Sequence, residues 1–372
     1  MHKIVVASDS FKVCLTSAQI ADSVEAAIHM HLPECEVVKL AVADGGEGTV
    51  EAMLKTMGGE RVEVKVQDPL GRLIMAQYAI LADGVTAVME MAAASGLTLL
   101  QAQERNPLLT STYGTGQMIA DALQRGCRRF LIGIGGSATN DCGMGVLEAL
   151  GWRFYDSEEN HLHGCGSNLS KVARIDDSDI NPVISNAHFT IACDVDSPLY
   201  GPEGAAYVYA PQKGATPEMV KALDRGLMHF AGVVREHLNC DVSVLPGAGA
   251  AGGLGAAFKA FLDAELKRGA QMVLDAVGFD YQIKGADLII TGEGKIDMQT
   301  STGKLPYAVA LRAGRQSIPV IALCGRSEVE RIPEFEAIYP ITPPDMPLSQ
   351  AMEPNVALDN LSQTLQSIFS AQ

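Results

Sequence analysis

The sequence predicts an α/β protein: a doubly wound, mostly parallel sheet domain with a second, inserted mixed α/β domain and a cleft between the two. Three observations predict it. Short apolar runs ending at glycine-rich loops alternate with longer stretches of helical spacing, the order that builds parallel sheets covered on both faces. Residues 61–90 instead alternate apolar and polar side chains around Asp68-Pro69-Leu70-Gly71 and Asp83-Gly84, as antiparallel hairpins do. Finally, 372 residues exceed what one hydrophobic core holds comfortably.

Taken in order, Ile4-Val5-Val6 makes 3–7 a buried first strand, and it meets Asp9 too soon for a signal peptide. Ser17, Ile20 and Val24 give 17–31 a helical apolar stripe, and Thr49, Ala52 and Met53 do the same for 48–57. Between them 36–42 reads as the second strand. After the hairpins, a helix at 116–125 leads into the strand 130–134, whose Phe130-Leu131-Ile132 run stops at glycines, and then into a helix at 143–150. Residues 152–280 mix turns, a long helix at 217–238 and a glycine-rich stretch. The last strands are 288–291, 319–323 and 337–339, with helices at 304–313 and 355–370. The doubly wound domain is thus expected at 1–60, 110–150 and 281–372, and the inserted domain at 61–109 and 151–280.

Composition excludes several classes. Lys and Arg number 28 against 44 Asp and Glu, a formal charge of −16, which argues against nucleic acid because phosphate neutralisation needs a basic face. No uncharged apolar run approaches the roughly 20 residues of a membrane span. With neither a signal peptide nor a membrane span read from the sequence, a cytoplasmic protein is expected, in which the eight cysteines, forming no Cys-x-x-Cys pair, read as reduced thiols. An anionic ligand would need local cations, backbone N–H groups or Mg²⁺ to overcome the global charge.

The loops that end the strands carry the chemistry. In 132–145, Gly135 and Gly136 let the backbone approach a ligand, Ser137, Thr139, Asn140 and Asp141 crowd behind them, and a helix N-terminus follows for an anion. Asp141 there could hold a cation or a proton. Asp44 and Glu47 sit among Gly45, Gly46 and Gly48 where open α/β sheets bind ligands; the alternative is a tight turn with Asp44 as N-cap. Lys12 follows the first strand as a point charge for a phosphate or carboxylate, or as a solvated lysine. Gly292, Gly294, Lys295 and Asp297 form another strand-to-loop site, with Lys304 beyond, offering the carboxylates and lysines that Mg²⁺ and phosphoryl transfer need. Asp194, beside buried-looking Cys193, should be partly desolvated and so raised toward a general base's range. Gly247, Gly249 and Gly252 could cradle phosphates or pack a helix closely, and Lys213 stands in a further loop that is a ligand site or a solvated turn. His161, His163 and Cys165 lack a fourth ligand at a recognised spacing and read better as an exposed turn.

A competing class is a nicotinamide-dependent oxidoreductase of a small hydroxy acid, since Gly133-x-Gly135-x-x-Ala138 follows a strand. That fingerprint runs into Thr139-Asn140-Asp141, polar residues where a packed helix is wanted. No Gly-x-x-x-x-Gly-Lys-Ser/Thr occurs, which excludes a P-loop nucleotidase.

Taken together, Asp9-Ser10-Phe11-Lys12, Ala43-Asp44-Gly45-Gly46-Glu47-Gly48-Thr49, Glu90-Met91-Ala92-Ala93-Ala94-Ser95-Gly96-Leu97, residues 133–141, Ala192-Cys193-Asp194-Val195, Pro211-Gln212-Lys213-Gly214-Ala215, residues 246–255 and Thr291-Gly292-Glu293-Gly294-Lys295-Ile296-Asp297 stand in the order found in bacterial class I glycerate kinases. The chain resembles that family from its first strand to its C-terminal helix. Cys142, where the family usually has glycine, and Val13-Cys14 are departures that remove no charged group. The resemblance implies ATP as co-substrate, Mg²⁺, D-glycerate as acceptor and two α/β domains closing on a cleft. It leans toward the 2-hydroxyl, with the 3-hydroxyl as alternative; a homodimer stays open. Residue chemistry then assigns roles. Asp194 is the base, and Asp44 and Asp297 hold Mg²⁺ or orient substrate. Lys12, Lys213 and Lys295 neutralise phosphate or carboxylate. Ser137, Thr139, Asn140, Asp141 and Glu47 complete the binding set, and the glycines at 135, 136, 247, 249, 252, 292 and 294 form the nucleotide loops.

Overall fold

A computed structural model describes residues 1–11 and 14–370. In chain order its strands are β1 (Lys3–Val6), β2 (Glu36–Lys39), β3 (Gly59–Gln67), β4 (Leu73–Leu81), β5 (Thr86–Glu90), β6 (Arg129–Gly133) and β7 (Arg153–Tyr155). They continue with β8 (Arg174–Asp176), β9 (His188–Ala192), β10 (Glu265–Lys267), β11 (Leu288–Ile296), β12 (Val320–Ser327) and β13 (Ala337–Pro340). The chain divides into one unit of Met1–Asp44, Glu51–Met57 and Ala270–Gln372 and another of Gly45–Val50 and Gly58–Gly269.

The first unit is built on a five-stranded sheet, β13-β12-β11-β1-β2, with every neighbour parallel. Its strands are apolar because both faces are covered: on one, Ile4, Val6, Ile290 and Leu323 pack with Ile20, Val24 and Ile28 of the helix Ser17–His31 and Leu361 and Leu365 of the helix Pro354–Ser370, and on the other Val5, Ile289 and Ala322 are fully buried. Each such side chain contributes roughly 1.5–3 kcal/mol on burial. The helix Ser17–His31 starts where the Thr16 hydroxyl accepts the Gln19 N–H at 3.2 Å and the Gln19 side chain accepts the Thr16 N–H at 2.9 Å, a reciprocal cap. From β1 the sheet grows outward to β2 in one direction and from β11 to β13 in the other. This is the doubly wound order, and its reversal between β1 and β11 is where open sheets bind ligands.

The second unit carries a six-stranded sheet, β10-β9-β6-β5-β4-β3. Its first four strands are parallel and its last three antiparallel, so residues 61–90 form the expected hairpins. Phe130 and Phe189 stack across β6 and β9 with ring centroids 4.7 Å apart. The helix Pro217–Leu238 buries Val220, Leu223, Leu227, Phe230 and Val234, a stripe at helical spacing, after a Thr216 cap and Pro217 in its first turn.

Two expectations differ from this arrangement. Segment 110–150 is expected in the doubly wound domain with 1–60 and 281–372, whereas β6 pairs with β5 and β9 of the second unit. Both sheets have strands buried on both faces, so an apolar run such as Phe130-Leu131-Ile132 carries no label for the sheet it joins. The strand expected at 288–291 also runs on to Ile296, taking the Gly292–Lys295 stretch with it as paired strand rather than loop. Parallel pairing with β12 continues to Ile296 opposite Ser327, and a Cβ at Gly292 would come 2.4 Å from the Leu323 carbonyl oxygen.

Candidate active site

In the second unit the loops that follow β6 and β9 meet a glycine-rich turn and the short helical turn Pro211–Lys213. They enclose a pocket of about 420 Å³ lined by Gly45, Gly135, Ser137, Asp194, Lys213 and Ala251, among others. The glycine stretch folds as a left-handed turn at Ala251, Gly252 and Gly253, with φ of +51°, +71° and +93°, at the start of the helix Ala250–Leu262. Glycine is required at 252, where a Cβ would stand 2.1 Å from the Thr139 carbonyl oxygen. The turn therefore lies flat against the 137–142 loop. Gly247 and Gly249 likewise pack closely on neighbouring backbone or side chains, and it is Ala250 and Ala251, not these glycines, that line the pocket.

Lys213 is the charged centre of this pocket. It is only 2% exposed, and its ammonium donates to the Ser137 hydroxyl at 2.7 Å and the Thr139 carbonyl at 2.6 Å. Among the described residues no carboxylate lies within ion-pair distance of it. Burial pulls its pKa down to about 7, against a smaller upward pull from Asp141. A lysine in that state is poised to accept an anion. The buried side-chain nitrogen and oxygen atoms left without a hydrogen-bond partner, among the described residues, are Thr139 Oγ1, both amide atoms of Asn140 and Arg105 Nε.

Asp141 holds the loop. Its fully buried carboxylate accepts the Thr112 N–H and hydroxyl, each at 2.8 Å, and the Gly143 and Gly145 N–H groups at 3.3 and 3.2 Å. It thereby fixes the loop to two helices, the reason an acid stands there, while burial still pushes its carboxyl upward. Glu90 plays the corresponding part for the first glycine loop. Its carboxylate accepts the Val50 N–H at 3.1 Å at the start of the helix Thr49–Met57, the position the sequence offered to Asp44 as N-cap. Asp194 is exposed and not desolvated as expected, because the extended chain alternates and turns Cys193 inward instead. One Asp194 oxygen accepts the Gly269 N–H at 2.9 Å, and the neighbouring Asp196 is ion-paired with Arg268. Glu47 is exposed, and Gly136 lines the pocket with Gly135.

The first unit holds a separate cluster at the end of β11. Glu293 is buried, accepts the Thr300 hydroxyl at 2.7 Å and faces the Lys304 ammonium at 3.3 Å; burial raises its carboxyl. Asp297 lies 3.8 Å from the same ammonium and 3.5 Å from Lys295, whose ammonium reaches Glu328 at 2.9 Å. Lys295 is thus an exposed, ion-paired side chain. Asp44 is half-buried at the end of this unit's first segment. Lys12 lies outside the described residues. Glu293 and Lys304 are the pair that the sequence assignment of roles passed over. The alternative dinucleotide reading loses its support, because the chain after Ala138 stays irregular until a helix begins at Met144.

Comparison with known proteins gives the same direction. The family model that matches residues 4–372 is that of the glycerate kinase family. The chain belongs to the glycerate kinase family. It is 46% identical over 357 residues to a glycerate kinase of Halalkalibacterium halodurans, covering 95% of this chain and 94% of that one. It is 45% identical over 323 residues to glycerate 2-kinase of Escherichia coli, covering 87% of this chain and 85% of the relative. A crystal structure from Salmonella typhimurium, assigned as a glycerate kinase 2, superposes with a TM-score of 0.91 at 42% identity, covering all of this chain and 98% of its own. In this chain the loops and strand ends of two mostly parallel sheets position both clusters.

Proposed function

We propose that this member of the family transfers the γ-phosphoryl group of ATP to the 2-hydroxyl of D-glycerate, with Mg²⁺, giving 2-phospho-D-glycerate. The observation that carries the reading is Lys213: a buried ammonium facing a small pocket, held by neutral oxygens and, among the described residues, lacking a contacting counter-ion. A carboxylate or phosphate oxygen supplies that counter-ion. The E. coli relative's assignment as a 2-kinase supports the 2-position over the 3-position.

In this mechanism the reacting hydroxyl loses its proton to a carboxylate as its oxygen bonds to phosphorus and the bond to the ADP oxygen breaks. Asp194, exposed on the pocket wall and steadied by the Gly269 N–H, is the acceptor we assign. Gly135 and Gly136 border the same pocket with no side chain to obstruct a ligand. Mg²⁺ suits Glu293 and Asp297, hard oxygen donors that already converge on one cation, the Lys304 ammonium, with Asp44 as a further carboxylate of that unit. When bound, the ion screens triphosphate charge. Positioning and charge neutralisation carry the catalysis. The setting we assign is cytoplasmic; among the described residues no helix is long and apolar enough to cross a membrane.

Phosphorus NMR of the purified chain with ATP, Mg²⁺ and D-glycerate tests the reading. A new phosphomonoester coupled to the proton on carbon 2 is the expected product. Coupling to the carbon 3 protons would move the assignment to the 3-hydroxyl, and absence of any phosphomonoester would remove it.

A further inference from the structure

Of all the described residues, the buried side-chain polar atoms without a partner fall on just three: Arg105, Thr139 and Asn140. Orphaned buried donors and acceptors are costly, and a native fold keeps them only where something else completes them. These three are also neighbours in space. Thr139 gives its carbonyl to Lys213, Asn140 follows it, and the backbone of Arg105 lies against Gly214, where a Cβ would come 2.3 Å from the Arg105 carbonyl oxygen. The orphans therefore belong to the two chain segments that pack on the turn carrying the pocket's buried ammonium.

Arg105 is held there without an acid of its own. It follows the short turn Ala102–Glu104, closed by Glu104 accepting the Gln101 N–H at 2.9 Å. The adjacent Glu104 carboxylate is paired with Arg72 at 2.6 Å, and Arg72 also binds Asp68. No ion pair or hydrogen bond of the Arg105 side chain exists among the described residues, although its Nε is sealed from solvent. A guanidinium left so is a planar fork waiting for an anion of matching geometry.

We infer that Arg105, with Lys213 and the Asn140 amide, forms the subsite that recognises the carboxylate and a hydroxyl of a small hydroxy acid. The inference rests on the reading of the chain as a D-glycerate kinase and adds the residue that selects the acceptor. The two cations receive the carboxylate. A phosphate offers the same anionic oxygens, but a fully ionised phosphate only accepts hydrogen bonds. Asn140 has an unpartnered carbonyl oxygen as well as an unpartnered NH₂, so its ligand must donate and accept, as a hydroxyl does. Arg105 is in this account a binding and specificity residue, and it takes no proton in the transfer step.

The test uses the full chain, with Arg105→Gln and Arg105→Lys beside wild type, each checked by thermal melting. Steady-state constants are measured against D-glycerate and against ATP, and D-glycerate binding is measured calorimetrically without nucleotide. The expected result is that R105Q raises KM and Kd for D-glycerate by about 10- to 100-fold, the loss of a charge-assisted hydrogen bond, with KM for ATP held within about twofold. R105K should recover part of the loss, since it restores charge without the fork. If KM for ATP moves instead, the guanidinium serves a phosphate and the inference falls. It falls also if both variants keep wild-type affinity for D-glycerate, which would leave water as the partner of the orphaned atoms. Should R105Q fail to fold, R105K alone decides by the same split. Wild-type chain that binds D-glycerate without phosphorylating it would remove the kinase reading only, and Arg105 would then stand or fall on the calorimetric comparison.

Discussion

At the scale of single residues, Lys213 ties the site to pH. Burial brings its pKa from 10.5 to about 7, so in the unliganded chain it is a cation below pH 7 and largely neutral above it. Binding a carboxylate favours the cation. Above pH 7 binding must therefore take up a proton, and KM for D-glycerate should climb as pH rises from 6 to 8.5. Lys213→Met should give a high KM that no longer changes over that range; a wild-type KM flat with pH would mean the lysine stays charged throughout. The folding linkage has its own sign. Between about pH 7 and 10.5 the unfolded lysine holds a proton that the buried one has lost, so this group's cost to stability is full below pH 7 and fades as pH rises. Asp194 makes a second residue-scale prediction: Asp194→Asn should lower kcat by about 10²–10⁴ in a rapid-quench or coupled assay if it takes the hydroxyl proton. Turnover near wild type would transfer that role to another group. Arg105 shows what a single sequence withholds at this scale. It stands in a loop without the glycines that mark the other sites, and its signal is a buried atom lacking a partner, which arises only in the folded chain.

At the scale of elements, strands and helices were legible because period and apolar content are local. Helix Pro217–Leu238 and the β3–β4–β5 hairpins stand where alternation and capping residues put them. Which sheet a strand joins is set by partners far away in sequence, and so β6 could not be placed from Phe130-Leu131-Ile132. The glycine stretch after Pro246 left cradle and packed helix open together, and the structure combines them: a left-handed turn that leads into a helix and carries Ala250 and Ala251 to the pocket wall. That turn is testable. Gly252→Ala would place a methyl group 2.1 Å from the Thr139 carbonyl oxygen at a φ of +71°. Left-handed φ alone costs an L-residue roughly 1–2 kcal/mol, and the contact adds to it. Urea unfolding should therefore show a loss of at least about 2 kcal/mol, together with a raised KM, because the Thr139 carbonyl is also a Lys213 ligand. A loss below about 0.5 kcal/mol would mean that the two loops are not packed rigidly.

At the scale of the whole molecule, a protein of formal charge −16 binds anionic substrates, and the two facts pull against each other. The long-range field repels D-glycerate and nucleotide during approach, while Lys213 and its neighbours attract them only at close range. These terms have different reaches. Salt shortens the Debye length from about 30 Å at 0.01 M to about 8 Å at 0.15 M, which screens the distant acids strongly and a buried ammonium hardly at all. Raising ionic strength over that interval with a non-competing salt should therefore increase kcat/KM for D-glycerate. The opposite slope, a fall with salt, would mean that a local basic field dominates capture. Arg105→Gln separates the two terms further. It removes one short-range attraction and changes net charge by only one unit, so its kcat/KM should lie below wild type at every salt concentration while its slope with salt stays nearly parallel.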